Sequence, residues 1–159
     1  MARSSDRFPG PQYHIATVIR APLPYVYAWC TDFDAQDAQR ERDDYARKIV
    51  GRTPRRVVFE DLTDSDSGWS WRRHTVTLRP PNRWHSDSLG SHRDAALDYE
   101  LTALSPERTR LDLRWRRRPT VLGRRLSKRE AEGPATQGWR HLGRALEQEY
   151  RRTGARSRR

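Results

Sequence analysis

Residues 97–116 read Leu97-Asp98-Tyr99-Glu100-Leu101-Thr102, then Ala103-Leu104-Ser105-Pro106-Glu107-Arg108, then Thr109-Arg110-Leu111-Asp112-Leu113-Arg114-Trp115-Arg116. In the first and last of these runs apolar and polar side chains alternate. That is the repeat of a strand with one buried and one wetted face. Ser105-Pro106-Glu107 between them is a turn signal. So short a connection joins antiparallel neighbours, because a parallel pair needs a crossover of about a dozen residues or more.

The period of two extends towards the N-terminus. Lys48–Arg52, Arg55–Leu62, Gly68–Arg79 and Arg83–Gly90 read as strands, and Ala95–Leu104 and Thr109–Arg117 complete a run of six. Thr53-Pro54, Asp64-Ser65-Asp66-Ser67-Gly68, Pro80-Pro81-Asn82 and Gly90-Ser91 separate them as turns. Gln12–Arg20 alternates too, with Tyr13, Ile15, Thr17 and Ile19 on one face, and supplies a seventh strand.

Helical spacing appears twice. Ala21-Pro22-Leu23-Pro24 stops the first strand, and Pro24 suits a first helical turn, where its missing N–H is not needed. Tyr25, Val26, Trp29 and Cys30 then recur at three and four residues, giving a short amphipathic helix with Cys30 in the core. Asp34 to Tyr45 is helix-compatible but nearly lacks an apolar face, so it is expected on the surface. Leu122 and Leu126 open a C-terminal helix whose stripe is Trp139, Leu142, Leu146 and Tyr150. Gly133-Pro134 is expected to kink or restart it, and its end is expected before Gly154. No internal repeat appears. The expected organisation is one domain over residues 12–152, with 1–11 and 153–159 as flexible tails.

Composition bounds the alternatives. Leu, Ile, Val and Phe total 26 of 159 residues, a proportion at which a strongly charged chain can stay unfolded. Six Trp and six Tyr offset that shortage, since each ring can bury ~150–250 Å². No apolar run approaches the roughly 18 residues of a membrane helix, and residues 1–10 do not read as a secretory signal. A single cysteine, Cys30, excludes an intrachain disulfide, so a cytoplasmic setting is expected.

The net charge of +11 is concentrated in two places. Six Arg lie in 114–125 and five in 151–159, neither segment holding an acid, so the remaining residues balance. Such segments could contact phosphates, or could simply be a solvated tail and strand tip. No helix-turn-helix, zinc-finger or RNP-type pattern accompanies them, and a nucleic-acid partner is not expected. An Arg-rich module binding nucleic acid or an acidic partner therefore stands only as the alternative function.

Chemistry motifs are absent. There is no Gly-rich phosphate loop, no G-x-S-x-G elbow and no H-E-x-x-H. His14, His74, His85, His92 and His141 never fall at paired ligand spacing within one element. Neither a metal nor another cofactor is expected.

The order of elements resembles the START/Bet v1-like superfamily, which includes polyketide cyclase/aromatase-like and lipid-binding proteins. The residues that carry the resemblance begin with Ile15-Ala16-Thr17-Val18-Ile19-Arg20-Ala21-Pro22, followed by Val26-Tyr27-Ala28-Trp29 and Asp32. Leu97–Thr102, Thr109–Leu113 and Trp139-Arg140-His141-Leu142 complete it, so that it spans Tyr13 to Tyr150. The resemblance implies an α+β helix-grip fold, a seven-stranded curved antiparallel sheet wrapped around a long C-terminal helix. It further implies a cavity for a small hydrophobic or aromatic molecule, in some members a polyketide that is cyclised. Fold and activity are separable, so each site residue has to be argued on its own.

If the ligand is turned over, the chemistry is cofactor-free acid–base catalysis. His74 shares a face with Val76 and Leu78 and is the candidate acid–base. Tyr99, between Leu97 and Leu101, is the candidate for orienting a ligand carbonyl. Trp84, Leu97, Leu113, Trp115 and Trp139 are candidate ligand contacts, with plain core packing the favoured alternative for Tyr99, Trp115 and Trp139. Trp71 and Arg73, on the face of their strand opposite His74, are candidate ligand contacts as well, because a bulge could switch which face is inward. A homodimer is compatible with everything above.

Overall fold

The computed structural model describes residues 10–41, 44–64, 68–91, 94–117 and 125–157. Strand β1 (Tyr13–Ile19) leads into helix α1 (Leu23–Thr31) and a short helix α2 (Asp37–Glu41). Six strands follow: β2 (Ala46–Thr53), β3 (Arg56–Thr63), β4 (Ser70–Arg79), β5 (Arg83–Gly90), β6 (Ala95–Ser105) and β7 (Arg108–Arg117). Helix α3 (Lys128–Ser157) closes the chain. The strands form one antiparallel sheet in the order β1-β7-β6-β5-β4-β3-β2, a meander to which β1 is added beside β7. The expected seven-stranded curved sheet and long terminal helix are what the chain forms.

The alternation read at 97–116 is realised in the packing. Leu101 and Leu111 are fully buried, and Leu113 and Trp115 nearly so. They meet Tyr13, Ile15 and Ile19 of β1 on the same face. Helix α3 brings Leu146, with no exposed surface, onto this face, and Trp139, Leu142 and Tyr150 pack beside it.

Three expectations about the helices are corrected. Leu122 lies outside the described residues, and α3 starts at Lys128 behind a reciprocal cap. The Ser127 N–H donates to Glu130 Oε2 at 2.9 Å, and the Glu130 N–H donates to Ser127 Oγ at 3.3 Å. Pro134 lies inside the helix, so the helix does not restart there. Ala131 and Ala135 on either side of it are both held to the core, which outweighs the lost hydrogen bond. The helix also continues past Gly154 to Ser157.

Gly90, at the end of β5, has a packing reason to be glycine. A Cβ there would stand 2.1 Å from the Trp71 carbonyl oxygen and 2.9 Å from the Arg72 Cα. Gly90→Ala is expected to cost about 2 kcal/mol, read as a lower midpoint of urea unfolding.

Candidate functional site

A cavity of about 190 Å³ lies between the inner face of the sheet, α1, α2 and α3. Two aromatic groups form its walls. In the first, Trp84 stacks on Tyr99 (4.6 Å between centroids, 7° between planes), its partner across β5 and β6. Trp139 of α3 meets Tyr99 edge-on at 5.8 Å. Phe33, Phe59 and His74 form a second group, a pile at 5.1 Å and 4.7 Å between successive rings. Flat walls of this kind present π faces and ring edges, which favour a flat ligand over a branched aliphatic one.

Phe33 reaches that pile through an unusual backbone. Its φ is 43°, a region disfavoured for a residue with a Cβ. Arg52 holds the turn by donating to the carbonyl oxygens of Asp32 and Phe33.

The third wall is charged. Arg47 of β2 donates through Nε and NH2 to Asp61 at 2.7 and 2.8 Å, a bidentate pair. Its NH1 donates to Asp37 Oδ2 at 2.5 Å, and its plane lies 4.0 Å over the Phe59 ring. Arg40 of α2 binds Asp32, Asp37 and Glu149, and Glu149 also accepts from Trp29 Nε1 at 2.9 Å. Glu41 accepts from the Tyr45 hydroxyl at 2.6 Å. Burial, with Asp32 beside it, pushes the Asp37 carboxyl above the usual carboxylate range against the pull of Arg47.

His74 faces this cavity with Ser86 Oγ 3.4 Å from its Nδ1. Burial lowers its pKa to about 4, although Asp61, 3.9 Å from Nε2, pulls the other way. The imidazole is therefore neutral near pH 7. Burial raises the Tyr99 hydroxyl, which stays protonated and able to donate. Cys30 also lines the cavity, and burial raises its thiol too, so it is no nucleophile here.

The residues expected from sequence fall into three groups. His74, Tyr99, Trp84 and Trp139 come together on the cavity wall. Leu97, Leu113 and Trp115 share the inner face but are spent on the core, with Trp115 5.5 Å from Tyr13. Trp71 and Arg73 are a correction, because they lie on the outer face. β4 pairs with β3 and β5 without a register shift, so no bulge turns them inward. Arg73 is exposed and bound to Glu60, and Trp71 is 40% exposed beside Trp69 at 65%.

The Asp34–Tyr45 segment is the second correction. It was expected on the surface, yet Asp37 and Ala38 of α2 are buried and the helix forms part of the cavity wall. The Asp37 carboxylate is buried because Arg40 and Arg47 meet it, a match that periodicity cannot display. Phe33, Asp37, Glu41, Arg47, Phe59 and Ser86 are among the wall residues that the sequence reading missed.

Of the basic segment at 114–125, Arg118 and Arg124 lie outside the described residues. Arg114 sits 3.7 Å from Glu100, and Arg116 donates to the Gly10 carbonyl oxygen. Among the described residues no group of three or more His, Cys, Asp or Glu is arranged for a metal ion. No helix among them is long and apolar enough to cross a membrane.

No protein-family model matches the chain, and no curated protein does. Solved structures do. The Zhui aromatase/cyclase from a Streptomyces species superposes with a TM-score of 0.68 at 16% identity, over 89% of this chain and 94% of that one. A START superfamily protein from Mycobacterium smegmatis gives 0.68 at 15% identity, over 91% and 99%. Ara h 8.0201 gives 0.69 at 10% identity, over 88% and 97%. Identities this low carry the architecture and nothing finer. The chain has the helix-grip fold of the START/Bet v1-like superfamily.

Proposed function

We propose that the protein binds a small flat aromatic molecule in the cavity between the sheet and α3. The observation that carries this reading is that two aromatic groups line the cavity, Trp84–Tyr99–Trp139 and Phe33–Phe59–His74. An apolar cavity of about 150 Å³ takes benzene. At about 190 Å³ this one suits one or two rings. Tyr99 serves as the donor to a ligand oxygen, and neutral His74 as acceptor or donor beside it. A cyclase-type step would need His74 as base, and a pKa of about 4 makes it a weak one at neutral pH. Binding is therefore favoured over turnover, and a cytoplasmic setting suits the single free thiol of Cys30.

Native mass spectrometry of the protein from its own host tests this directly. A co-purifying small molecule, lost on denaturation, is the expected result. Calorimetry with naphthalenemethanol, a neutral two-ring probe, gives the second test. Trp139→Ala should weaken binding about tenfold by removing one wall face, and Trp71→Ala should leave it unchanged. Equal effects of the two substitutions would place the ligand elsewhere.

A further inference from the structure

A second concavity, of about 140 Å³, lies on the outer side of the sheet, with Trp84 and Tyr99 between it and the aromatic cavity. Arg79 shares the outer face of β4 with Trp71 and Arg73, and the strand register sets Arg83 and then Glu100 beside it. Arg83, His85, Asp98, Glu100 and Arg114 line the depression together with Arg79. Arg56 of β3, opposite Thr77, adds a cation on the same face.

Three guanidinium groups meet two carboxylates there. Glu100 accepts from Arg83, through Nε at 3.1 Å and through NH2, and its other oxygen stands 3.7 Å from Arg114 NH1. Asp98 is paired with His85 Nδ1 at 2.7 Å, and the other nitrogen of that ring lies 3.3 Å from Asp87. Arg79 is the cation left over. It feels the Asp98 charge at a distance, but it makes no hydrogen bond or ion pair among the described residues. The residue directly opposite it in the ladder is Arg83, a like charge. Such a pair destabilises a sheet, and an anion seated between the two would remove the repulsion. Guanidinium groups from β4, β5 and β7 offer donors from three directions. That suits the three terminal oxygens of a phosphate monoester, whereas a carboxylate offers two oxygens in one plane. We propose that this depression binds a phosphate monoester group, held between Arg79 and Arg83 with Arg114 completing the set.

Inorganic phosphate is the first probe, titrated at constant ionic strength while backbone amide resonances are followed in a nitrogen-15 correlation spectrum. Saturable shifts at Arg79, Arg83 and Glu100 are expected, with a Kd of about 1 mM or tighter, and acetate should bind at least about tenfold more weakly. Arg79 is exposed, so Arg79→Gln leaves the core untouched. It should weaken phosphate binding at least about tenfold, whereas Arg151→Gln, which removes the same charge from α3, should change it by less than about twofold. Glycerol phosphate and vesicles carrying phosphatidic acid, each compared between wild type and Arg79→Gln, distinguish a soluble monoester from a lipid headgroup. Absence of saturation up to about 10 mM phosphate overturns the proposal. Equal weakening by Arg79→Gln and Arg151→Gln overturns it too, because the attraction would then be that of the net charge alone.

Discussion

Arg47→Met should destabilise the fold by about 3 kcal/mol, one of the two largest effects expected of a single substitution near the cavity. The guanidinium and the Asp37 carboxylate are 9% and 7% exposed, and Asp61 is 16% exposed. Removing the cation strands Asp61 and leaves Asp37 only its longer contact with Arg40 at 3.4 Å, a loss that costs about 3–5 kcal/mol in comparable pairs. For a chain of this length that lowers the melting temperature by roughly 6–12 °C. Neutralising both partners as well, in Arg47→Met, Asp37→Asn, Asp61→Asn, should recover part of the loss, because the penalty lies in the stranded charges. A loss under about 1 kcal/mol would mean that the network behaves as an exposed one. Calorimetric melting of the two variants decides it.

The second large effect concerns acid stability. His74 has a folded-state pKa of about 4, below the ordinary 6.5, chiefly because it is buried. Between those values the unfolded chain binds a proton that the folded chain refuses, so stability rises with pH across the window. Read downwards, this contribution is intact above pH 6.5 and is lost as pH falls towards 4. The shift corresponds to about 3 kcal/mol. His74→Gln should remove it, so that the stability difference between variant and wild type changes by about 3 kcal/mol from neutral pH to about pH 4. His85 works in the opposite sense. Its hydrogen bond to Asp98 raises its pKa, so its contribution is present below 6.5 and is lost as pH rises through the folded-state value. The two histidines therefore act in different windows. Urea midpoints at several pH values separate them, and parallel curves for His74→Gln and wild type would contradict the assignment.

What could be read from the chain alone divides along a physical line. Strands and the α3 stripe follow from period, and period is local. Leu97-Asp98-Tyr99-Glu100-Leu101 announces its face because every second residue pays the same hydrophobic term, and the face found is the face expected. The amphipathic β4 is harder, because Trp71, like Trp69 just before the strand, is apolar yet exposed while His74 is polar yet enclosed. Only its unbroken pairing with β3 and β5 settles the matter, and pairing is a property of three segments at once. The charged wall was not readable at all. Asp37 is buried because Arg47 of β2 and Arg40 beside it reach its carboxylate, and nothing in Asp34–Tyr45 signals a partner on another strand. The cap at Ser127–Glu130 did carry a local signal, a Ser-x-x-Glu spacing, which the apolar leucines before it obscured.

The six tryptophans provide the most direct test of the binding site, because the fold separates them. Trp29, Trp84 and Trp139 line the cavity, Trp115 is packed in the core, and Trp69 and Trp71 stand on the outer face. Their indole N–H resonances in a nitrogen-15 correlation spectrum, followed during titration with naphthalenemethanol, report each place separately. Saturable shifts of Trp84 and Trp139 are expected, with Trp29 following and Trp69 and Trp71 unmoved. Shifts confined to Trp69 and Trp71 would put the ligand on the outer face and contradict the cavity site.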